Sequence, residues 1–219
     1  MSEQVVAELR DTLIQGEVKK SAELTKSALA QGVAIKTLIT DGIKAAADVV
    51  GEKYDCGEYF LANLVRCGDS FKAAIDEIEG HRKTRPEAVA DGKRVVVATV
   101  QGDIHDIGKN LVVTFLRGDG FAVEDVGVDV PAAQVVDKAV EAKADIIALS
   151  CLMSVTRGGV KQVCEELQRR GLRDRFAVLV GGAATNEKWA KQVGCDAWAG
   201  SATEATRVAR NLIATRKEA

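Results

Sequence analysis

Apolar residues in about the first 79 positions recur at intervals of three and four, the spacing of one face of an amphipathic helix. One such set is Val5, Leu9 and Leu13, and three further sets follow it along the chain. Glycine commonly ends helices. The sets are separated near Gly16, Gly32 and Gly57. The pattern therefore predicts a small four-helix bundle over residues 1–82.

From Arg94 onward the pattern changes to short β-branched runs that alternate with helical stretches. We predict strands over 94–100, 122–126, 145–149, 177–180 and 196–199, and helices near 108–117, 132–142, 158–170, 187–193 and 203–216. Such alternation predicts a parallel sheet with helices on both faces. The expected fold class is α/β, with a helical cap before a flavodoxin- or Rossmann-like, doubly wound five-stranded domain over residues 93–219.

The stretch GHRKTRPEAVADGK joins the two halves. It is charged and holds one of the two prolines of the chain, a composition typical of a linker. We therefore place the boundary between the two domains in a linker at residues 83–92.

Composition narrows the possible partners. The chain has 30 basic and 32 acidic side chains, so its charge gives no reason to expect nucleic acid or an anionic membrane as a partner. Its apolar runs are too short to span a bilayer, and its N-terminus lacks the features of a signal peptide, so we expect a cytoplasmic protein. The five cysteines include no C-x-x-C pair, which argues against a disulfide framework or a thiolate zinc site and favours reduced, structural thiols.

Unusual residues follow three of the predicted strands. The sequence GDIHDIG (102–108) follows the first strand, SCLMS (150–154) the third and GGA (181–183) the fourth. Each motif has an ordinary explanation as a helix cap, a turn or a strand end. Ligands of open α/β sheets, however, bind at the carboxyl ends of the strands beside the topological switch point. The three loops are therefore expected to form one site.

A doubly wound domain could serve two other functions at this edge of the sheet. Neither G-x-G-x-x-G nor G-x-x-x-x-G-K-[ST] is present, which argues against a dinucleotide or P-loop site. A phospho-acceptor domain that uses Asp103 or Asp106 stays open as a minor alternative.

Taken together, the three motifs resemble a known fingerprint. Asp103-x-His105-x-x-Gly108, followed after 41 residues by Ser150-x-Leu152 and after 28 more by Gly181-Gly182, is similar to the domain that binds cobalamin in the base-off, His-on state, as in methionine synthase. The stretch VGEKYDCGEYFLANLV resembles the cap module that precedes this domain in corrinoid proteins of methyltransferase systems. The resemblance covers nearly the whole chain.

The resemblance implies that His105 is the lower axial ligand of cobalt. Imidazole suits such a metal, and its second ring nitrogen usually bonds to a carboxylate, a role that falls to Asp103. The family's relay ends in a hydroxyl, here that of Thr156, where serine is the familiar residue. Asp106 is expected to face solvent or the start of a helix.

The resemblance also implies a slot for the displaced nucleotide tail. Its glycines would let the backbone approach the tail, and the Ser150 hydroxyl would donate to the free benzimidazole nitrogen. The expected cofactor-binding residues are Asp103, Ile104, His105, Asp106, Ile107, Gly108, Ser150, Leu152, Ser154, Gly181, Gly182, Ala183, Gly200 and Ser201.

The implied function is that of a carrier. Its cobalt would accept a methyl group from a substrate-specific methyltransferase and pass it to an acceptor methyltransferase, with a reductive activase as a further partner. The chain alone would not be catalytic. Methanol, methylamine, methoxyaromatic (O-demethylase) and betaine systems all stay open as donors. A cobalamin-dependent sensor is the alternative.

The helical cap is expected to shield the upper face of the cofactor and to move about a hinge at 84–92 when a partner docks. Tyr59, Phe60, Asn63 and Leu64 are candidates for this cover, although residues at helical spacing more often belong to a core.

Overall fold

The computed structural model describes residues 2–84 and 93–216, which form two compact units. One unit holds the N-terminal helices together with Thr114–Gly120, and the other holds Lys93–Val113 and the chain from Phe121 onward. Most of the predicted linker, 83–92, and of the predicted hinge, 84–92, lies outside the described residues, so both stay predictions.

The N-terminal unit is helical, as predicted. Its elements are α1 (Ser2–Gln15), α2 (Val18–Ala30), α3 (Ile35–Thr37), a π-helical segment (Leu38–Lys44), α4 (Ala45–Asp55) and α5 (Leu61–Thr84). The third predicted helix therefore runs from α3 to α4 through a π-helical segment that the sequence did not reveal. Within residues 2–84 and 93–216, no helix is long and apolar enough to cross a membrane.

The end of α1 is held by one side chain from the second turn of α5 and one from two residues before that helix. The Tyr59 hydroxyl donates to the carbonyl oxygen of Ile14 (3.0 Å), and Arg66 donates to that of Gln15 (2.8 Å). These bonds satisfy carbonyls that lack a partner within the helix. Gly16 follows with φ +72°, and a Cβ there would lie 3.0 Å from the Cβ of Arg66, so glycine is needed for this turn.

The second unit is a five-stranded parallel sheet with the strand order β2-β1-β3-β4-β5. Its strands are β1 (Arg94–Val100), β2 (Ala122–Val130), β3 (Ile146–Ser150), β4 (Ala177–Gly181) and β5 (Ala197–Ala199). Its helices are α6 (Ile107–Gly118), α7 (Ala132–Glu141), α8 (Arg157–Arg169), α9 (Glu187–Gln192) and α10 (Ala202–Arg216). The predicted flavodoxin-like, doubly wound fold is confirmed.

Strand β2 extends beyond its predicted end at 126. Its register with β1 shifts on both sides of Ala98, which pairs with Gly127. The amide of Gly127, where φ is +104°, donates to Asp125 Oδ1 (3.0 Å), and the other carboxylate oxygen of Asp125 binds the buried Lys109 of α6. This partly buried ion pair lies next to the irregular part of a strand that sequence periodicity alone would end early.

The sheet is buried on both faces around β1, β3 and β4. Val96, Ala98 and Val100 of β1 face one core, which also takes in apolar residues of α7 and α8. Alternate residues point to the opposite face. The chain leaves β1 towards β2 and leaves β3 towards β4, so the switch point lies between β1 and β3. A crevice is expected at their carboxyl ends.

Candidate functional site

Asp103 is the centre of the hydrogen-bond network at this crevice. Its side chain has no exposed surface. Oδ1 accepts from the amide (3.1 Å) and from Nδ1 (2.7 Å) of His105. Oδ2 accepts from the amides of Leu152 (2.8 Å) and Met153 (3.2 Å) and lies 3.1 Å from the hydroxyl of Thr156. One carboxylate thus joins the loop after β1 to the loop after β3.

These hydrogen bonds determine the protonation state of Asp103. Burial alone would raise the pKa of the carboxyl, but the bonds from the amide and ring of His105 and from the amides of Leu152 and Met153 hold its pKa at about 2. The carboxylate is therefore ionised at neutral pH and can only accept hydrogen bonds. The facing Nδ1 of His105 is therefore the donor in this bond, so in the tautomer that the bond favours the lone pair of a neutral imidazole lies on Nε2.

One side of the His105 ring is hydrogen-bonded to Asp103, and the rest of the ring is partly exposed. Its side chain is 47% exposed, whereas the Asp103 carboxylate beneath it is fully buried. Its carbonyl oxygen also accepts from the hydroxyl of Thr99 (3.0 Å), which holds the backbone of the loop. The structure therefore presents one imidazole nitrogen at the carboxyl edge of the sheet, in an orientation set by its neighbours.

Thr156 lies where the expected relay requires a hydroxyl. Its Oγ1 is near Asp103 Oδ2 (3.1 Å) and the carbonyl oxygen of Met153 (2.9 Å), so two acceptors face a single proton. The methyl group that serine would lack packs over Gly102, where a Cβ would lie 3.3 Å from Thr156 Cγ2. The threonine thus keeps the hydroxyl in reach of Asp103 and uses its methyl group in packing.

Two hydrogen bonds to Asp129, whose role the sequence did not reveal, hold the loop that carries Asp103. Asp129, near the end of β2, has φ +54°, and its Oδ1 accepts from the amide of Gly102 (2.6 Å). Its own amide donates to the carbonyl oxygen of Asp103 (2.9 Å). Aspartate tolerates this left-handed conformation better than most residues. The stretch Gly127-Val128-Asp129 near the end of β2 was a weak signal for this role in the sequence.

Asp106 makes no bond to the Asp103 network among the described residues. It is exposed and precedes α6, where its Oδ2 accepts from the side chain of Asn110 (3.3 Å). This position agrees with the expected carboxylate at a helix start.

Exposed apolar side chains collect around His105. Ile104, Ile107, Leu152 and Val155 are between 41% and 88% exposed, and all four lie in or next to the loops after β1 and β3. The sheet unit has one other large exposed apolar residue in its described part, Val128 near the end of β2. Apolar surface concentrated at one edge of a domain indicates a binding site.

A row of small residues crosses the same edge. Thr99, Ser150, Gly181 and Ala199 are in register across β1, β3, β4 and β5. A Cβ at Gly181 would lie 2.7 Å from the carbonyl oxygen of Ala199, so the strands themselves require glycine at this position. Side chains in this row are short, and Ser150 and Gly181 in its middle are partly exposed.

The remaining predicted residues differ in their surroundings. Gly182 has φ +113°, and a Cβ there would lie 2.2 Å from the carbonyl oxygen of Cys151, so its glycine serves the protein's own backbone. Ser201 accepts from the amide of Glu204 (3.1 Å) and caps α10. Space is open around the Cα of Gly108. Ser154, Ala183 and Gly200 are exposed, as is Gly108.

The cap candidates have distinct environments within the helical unit. Leu64 is buried, and Asn63 Oδ1 accepts from the amide of Phe60 (2.9 Å) at the start of α5. Phe60 and Leu61 are 69% and 58% exposed. Of the four candidates, Phe60 therefore presents the most apolar surface.

Comparisons with known proteins show the family of the chain. Two family models, each described as a B12 binding domain, match residues 93–210 and 5–79. The dimethylamine corrinoid protein of Methanosarcina barkeri is 37% identical over 215 residues, which cover 97% of this chain and 99% of that protein. The trimethylamine corrinoid protein 1 of Methanosarcina acetivorans is 34% identical over 211 residues, which cover 96% and 98%.

Solved structures show the same architecture. The methanol:cobalamin methyltransferase complex of Methanosarcina barkeri matches with a TM-score of 0.79 and 28% identity, over 96% of this chain and 80% of that chain. A cobalamin-binding protein from Desulfitobacterium hafniense matches with a TM-score of 0.76 and 28% identity, over 94% and 98%. The fold and the crevice define an α/β protein with a ligand site at its switch point. The chain belongs to the corrinoid proteins of methyltransferase systems.

The residues at this edge fit a corrinoid. Imidazole is a suitable ligand for a transition metal, and a metal-binding histidine usually gives its other N–H to a carboxylate, as His105 Nδ1 does to Asp103. The exposed side chains of Ile104, Ile107 and Leu152 offer apolar surface to a macrocycle beside that nitrogen.

Proposed function

We propose that this protein binds cobalamin with its own base displaced and with Nε2 of His105 as the lower axial ligand of cobalt, and that it acts as a methyl carrier. The observation that supports this most strongly is the pairing of the half-exposed His105 ring with the buried, ionised Asp103. The match to corrinoid proteins over almost the full length of the chain supports it further.

Each part of the site has a role in this proposal. Asp103 fixes the tautomer and the direction of the His105 ring, with Thr156 behind it. Ile104, Ile107, Leu152 and Val155 exclude water around the ring nitrogen. The corrinoid supplies, when bound, a cobalt centre that can accept and release a methyl group.

The small-residue row would accommodate the displaced nucleotide. Gly181 leaves the strand ends without a side chain there, and the residues that the structure describes form no hydrogen bond with the Ser150 hydroxyl. That hydroxyl is thus available to donate to the free nitrogen of the benzimidazole. Gly200 and Ala183, both exposed, are proposed to border the same slot.

The proposed partners are a substrate-specific methyltransferase, an acceptor methyltransferase and a reductive activase. The solved complex of a methanol:cobalamin methyltransferase supports the first of these by its likeness to this chain. The relatives named above are described as dimethylamine and trimethylamine corrinoid proteins. Methylamines are therefore the first donors to test, and a methoxyaromatic donor and a cytoplasmic location stay predictions.

A methylation assay tests the carrier function. The full-length protein is reconstituted with cobalamin, reduced with titanium(III) citrate and mixed with a methylamine-, methanol-, methoxyaromatic- or betaine-type methyltransferase and its substrate. We expect one type of methyltransferase to methylate the bound cobalamin, as read from the visible spectrum, at least about tenfold faster than it methylates free cobalamin. A corrinoid protein known to react with each methyltransferase is the positive control. If every methyltransferase methylates its control but not this protein, the carrier proposal is wrong.

A further inference from the structure

Two cysteines that the sequence separates by 31 positions are in contact. The Sγ atoms of Cys164, on α8, and Cys195, just before β5, are 3.9 Å apart, and both residues are buried. They belong to the core on the α7 and α8 side of the sheet. The small-residue row faces the other side, because Thr99 and Ser150 alternate with members of that core along their strands. The pair therefore lies outside the proposed cofactor site.

Several hydrogen bonds hold the turn that carries Cys195. Gly194 has φ +94°, and a Cβ there would lie 3.7 Å from the Cβ of Cys164, in ordinary packing contact. Arg173 Nη2 donates to the carbonyl oxygen of Gly194 (2.7 Å) and to Asp196 Oδ1 (2.8 Å). The amide of Cys195 donates to the carbonyl oxygen of Ala190 (2.9 Å). These bonds keep the two sulfur atoms next to each other.

The surroundings also make the two thiols unequal. Either sulfur can donate in the bond between them, and the sulfur that accepts it has the lower pKa, which is assigned here to Cys164. The Arg173 guanidinium lowers the pKa of both thiols, against the effect of burial. The same hydrogen bond, together with burial, raises the pKa of Cys195. A thiolate is the reactive form of cysteine, so Cys164 is the expected nucleophile of the pair.

We propose that Cys164 and Cys195 form a reversible intrachain disulfide when the protein meets a peroxide. The Cys164 thiolate attacks hydrogen peroxide, the O–O bond breaks, and the products are a Cys164 sulfenic acid and, after proton transfer, one water. The Cys195 sulfur then displaces the sulfenic oxygen as a second water. In total, two thiols and one peroxide give one disulfide and two waters. A dithiol reductant restores the thiols.

Bond formation needs only a small movement. An S–S bond is about 2.05 Å long, so the sulfur atoms, now 3.9 Å apart, must approach by about 1.9 Å. The disulfide would join α8 to the start of β5 and restrict the unfolded chain, which raises the temperature of unfolding. For a protein of this size we expect an increase of about 5–10 °C.

Peptide mapping tests the proposal. The full-length protein with Cys56→Ser, which removes the one exposed cysteine, is treated with a small excess of hydrogen peroxide, alkylated in denaturant and digested without reduction. We expect a linked peptide pair that contains Cys164 and Cys195 and weighs two hydrogens less than the two separate peptides. Dithiothreitol should abolish both the link and the increase in unfolding temperature.

Three variants serve as controls. Cys164→Ala and Cys195→Ala should each lose the linked peptide, and either one suffices if the other does not fold. Cys67→Ala, which alters a buried cysteine of the helical unit, should keep it. The proposal is wrong if Cys164 and Cys195 both remain alkylated in full after treatment, if Cys164 passes to the sulfinic acid without a link, or if the link joins other cysteines.

Discussion

Replacing His105 with alanine will weaken cobalamin binding by roughly 10–100-fold. In metal sites, mutation of a residue that only hydrogen-bonds to a metal ligand typically lowers metal affinity by about 10–100-fold. Here the proposed ligand itself is removed, so we expect an effect of at least that size. The contacts proposed for Ile104, Leu152 and the small-residue row would remain, so we expect some binding to persist. Equilibrium dialysis of the full-length protein against hydroxocobalamin measures the change.

The chain contains one other histidine, which makes a matched control. His81 lies in α5 of the helical unit, outside the motifs that follow the strands of the sheet unit in the sequence. His81→Ala should bind cobalamin as the unaltered protein does. Equal affinities of the His105 variant, the His81 variant and the unaltered protein would exclude His105 as a ligand.

The second large effect is expected at Asp103. Asp103→Ala leaves the amides of Leu152 and Met153 without their buried acceptor and releases the Thr156 hydroxyl and the His105 ring. Hydrogen bonds to a buried charge are among the stronger ones, and unmet donors carry a desolvation cost. We expect the free energy of unfolding of the cobalamin-free protein to fall by about 3 kcal/mol.

Urea unfolding followed by circular dichroism provides this measurement. Asp106→Ala, in the same loop, is the control, because its carboxylate is exposed at the start of α6 and should contribute no more than about 1 kcal/mol. A loss at Asp103 no larger than that at Asp106 would mean that the buried network does not hold the loop.

The fold of the sheet unit was largely predictable because its strands are buried on both faces. Such strands appear as continuous β-branched runs, as in Arg94–Val100, and their bounds were correct to within one residue at four of the five strands. Strand β2 was the exception, because its last residues pair with β1 in a shifted register and Asp129 bonds to Gly102 and Asp103, far away in the sequence. No local pattern in the sequence encodes such a contact.

In the helical unit, four amphipathic segments were predictable and the π-helical turn was not. Leu38–Lys44 has the composition of an ordinary helix, and nothing in its apolar spacing shows where the hydrogen-bond pattern changes. A change of that kind depends on how the segment packs in the folded unit.

The parts of the candidate site that consist of side chains were predictable from the sequence. The resemblance implied the pairing of Asp103 with His105 and the hydroxyl of Thr156 behind it, and the structure brings all three side chains together. The donors from the backbone of Leu152 and Met153 were not predictable, because an amide leaves no signature in the sequence. The need for glycine at position 182 was not predictable either, because it comes from the backbone carbonyl oxygen of Cys151, which a side chain there would clash with.

The central claim is that a protein histidine, rather than the base of the cofactor, binds cobalt. The most direct test is electron paramagnetic resonance of the cobalt(II) form, reconstituted with unlabelled cobalamin in protein whose histidines carry nitrogen-15. If Nε2 of His105 is the ligand, each cobalt line will be split in two by nitrogen-15 rather than in three by nitrogen-14, and the nitrogen splitting will vanish in His105→Ala. A threefold splitting that survives the labelling would show that the cofactor's own base remains bound and would contradict the assignment.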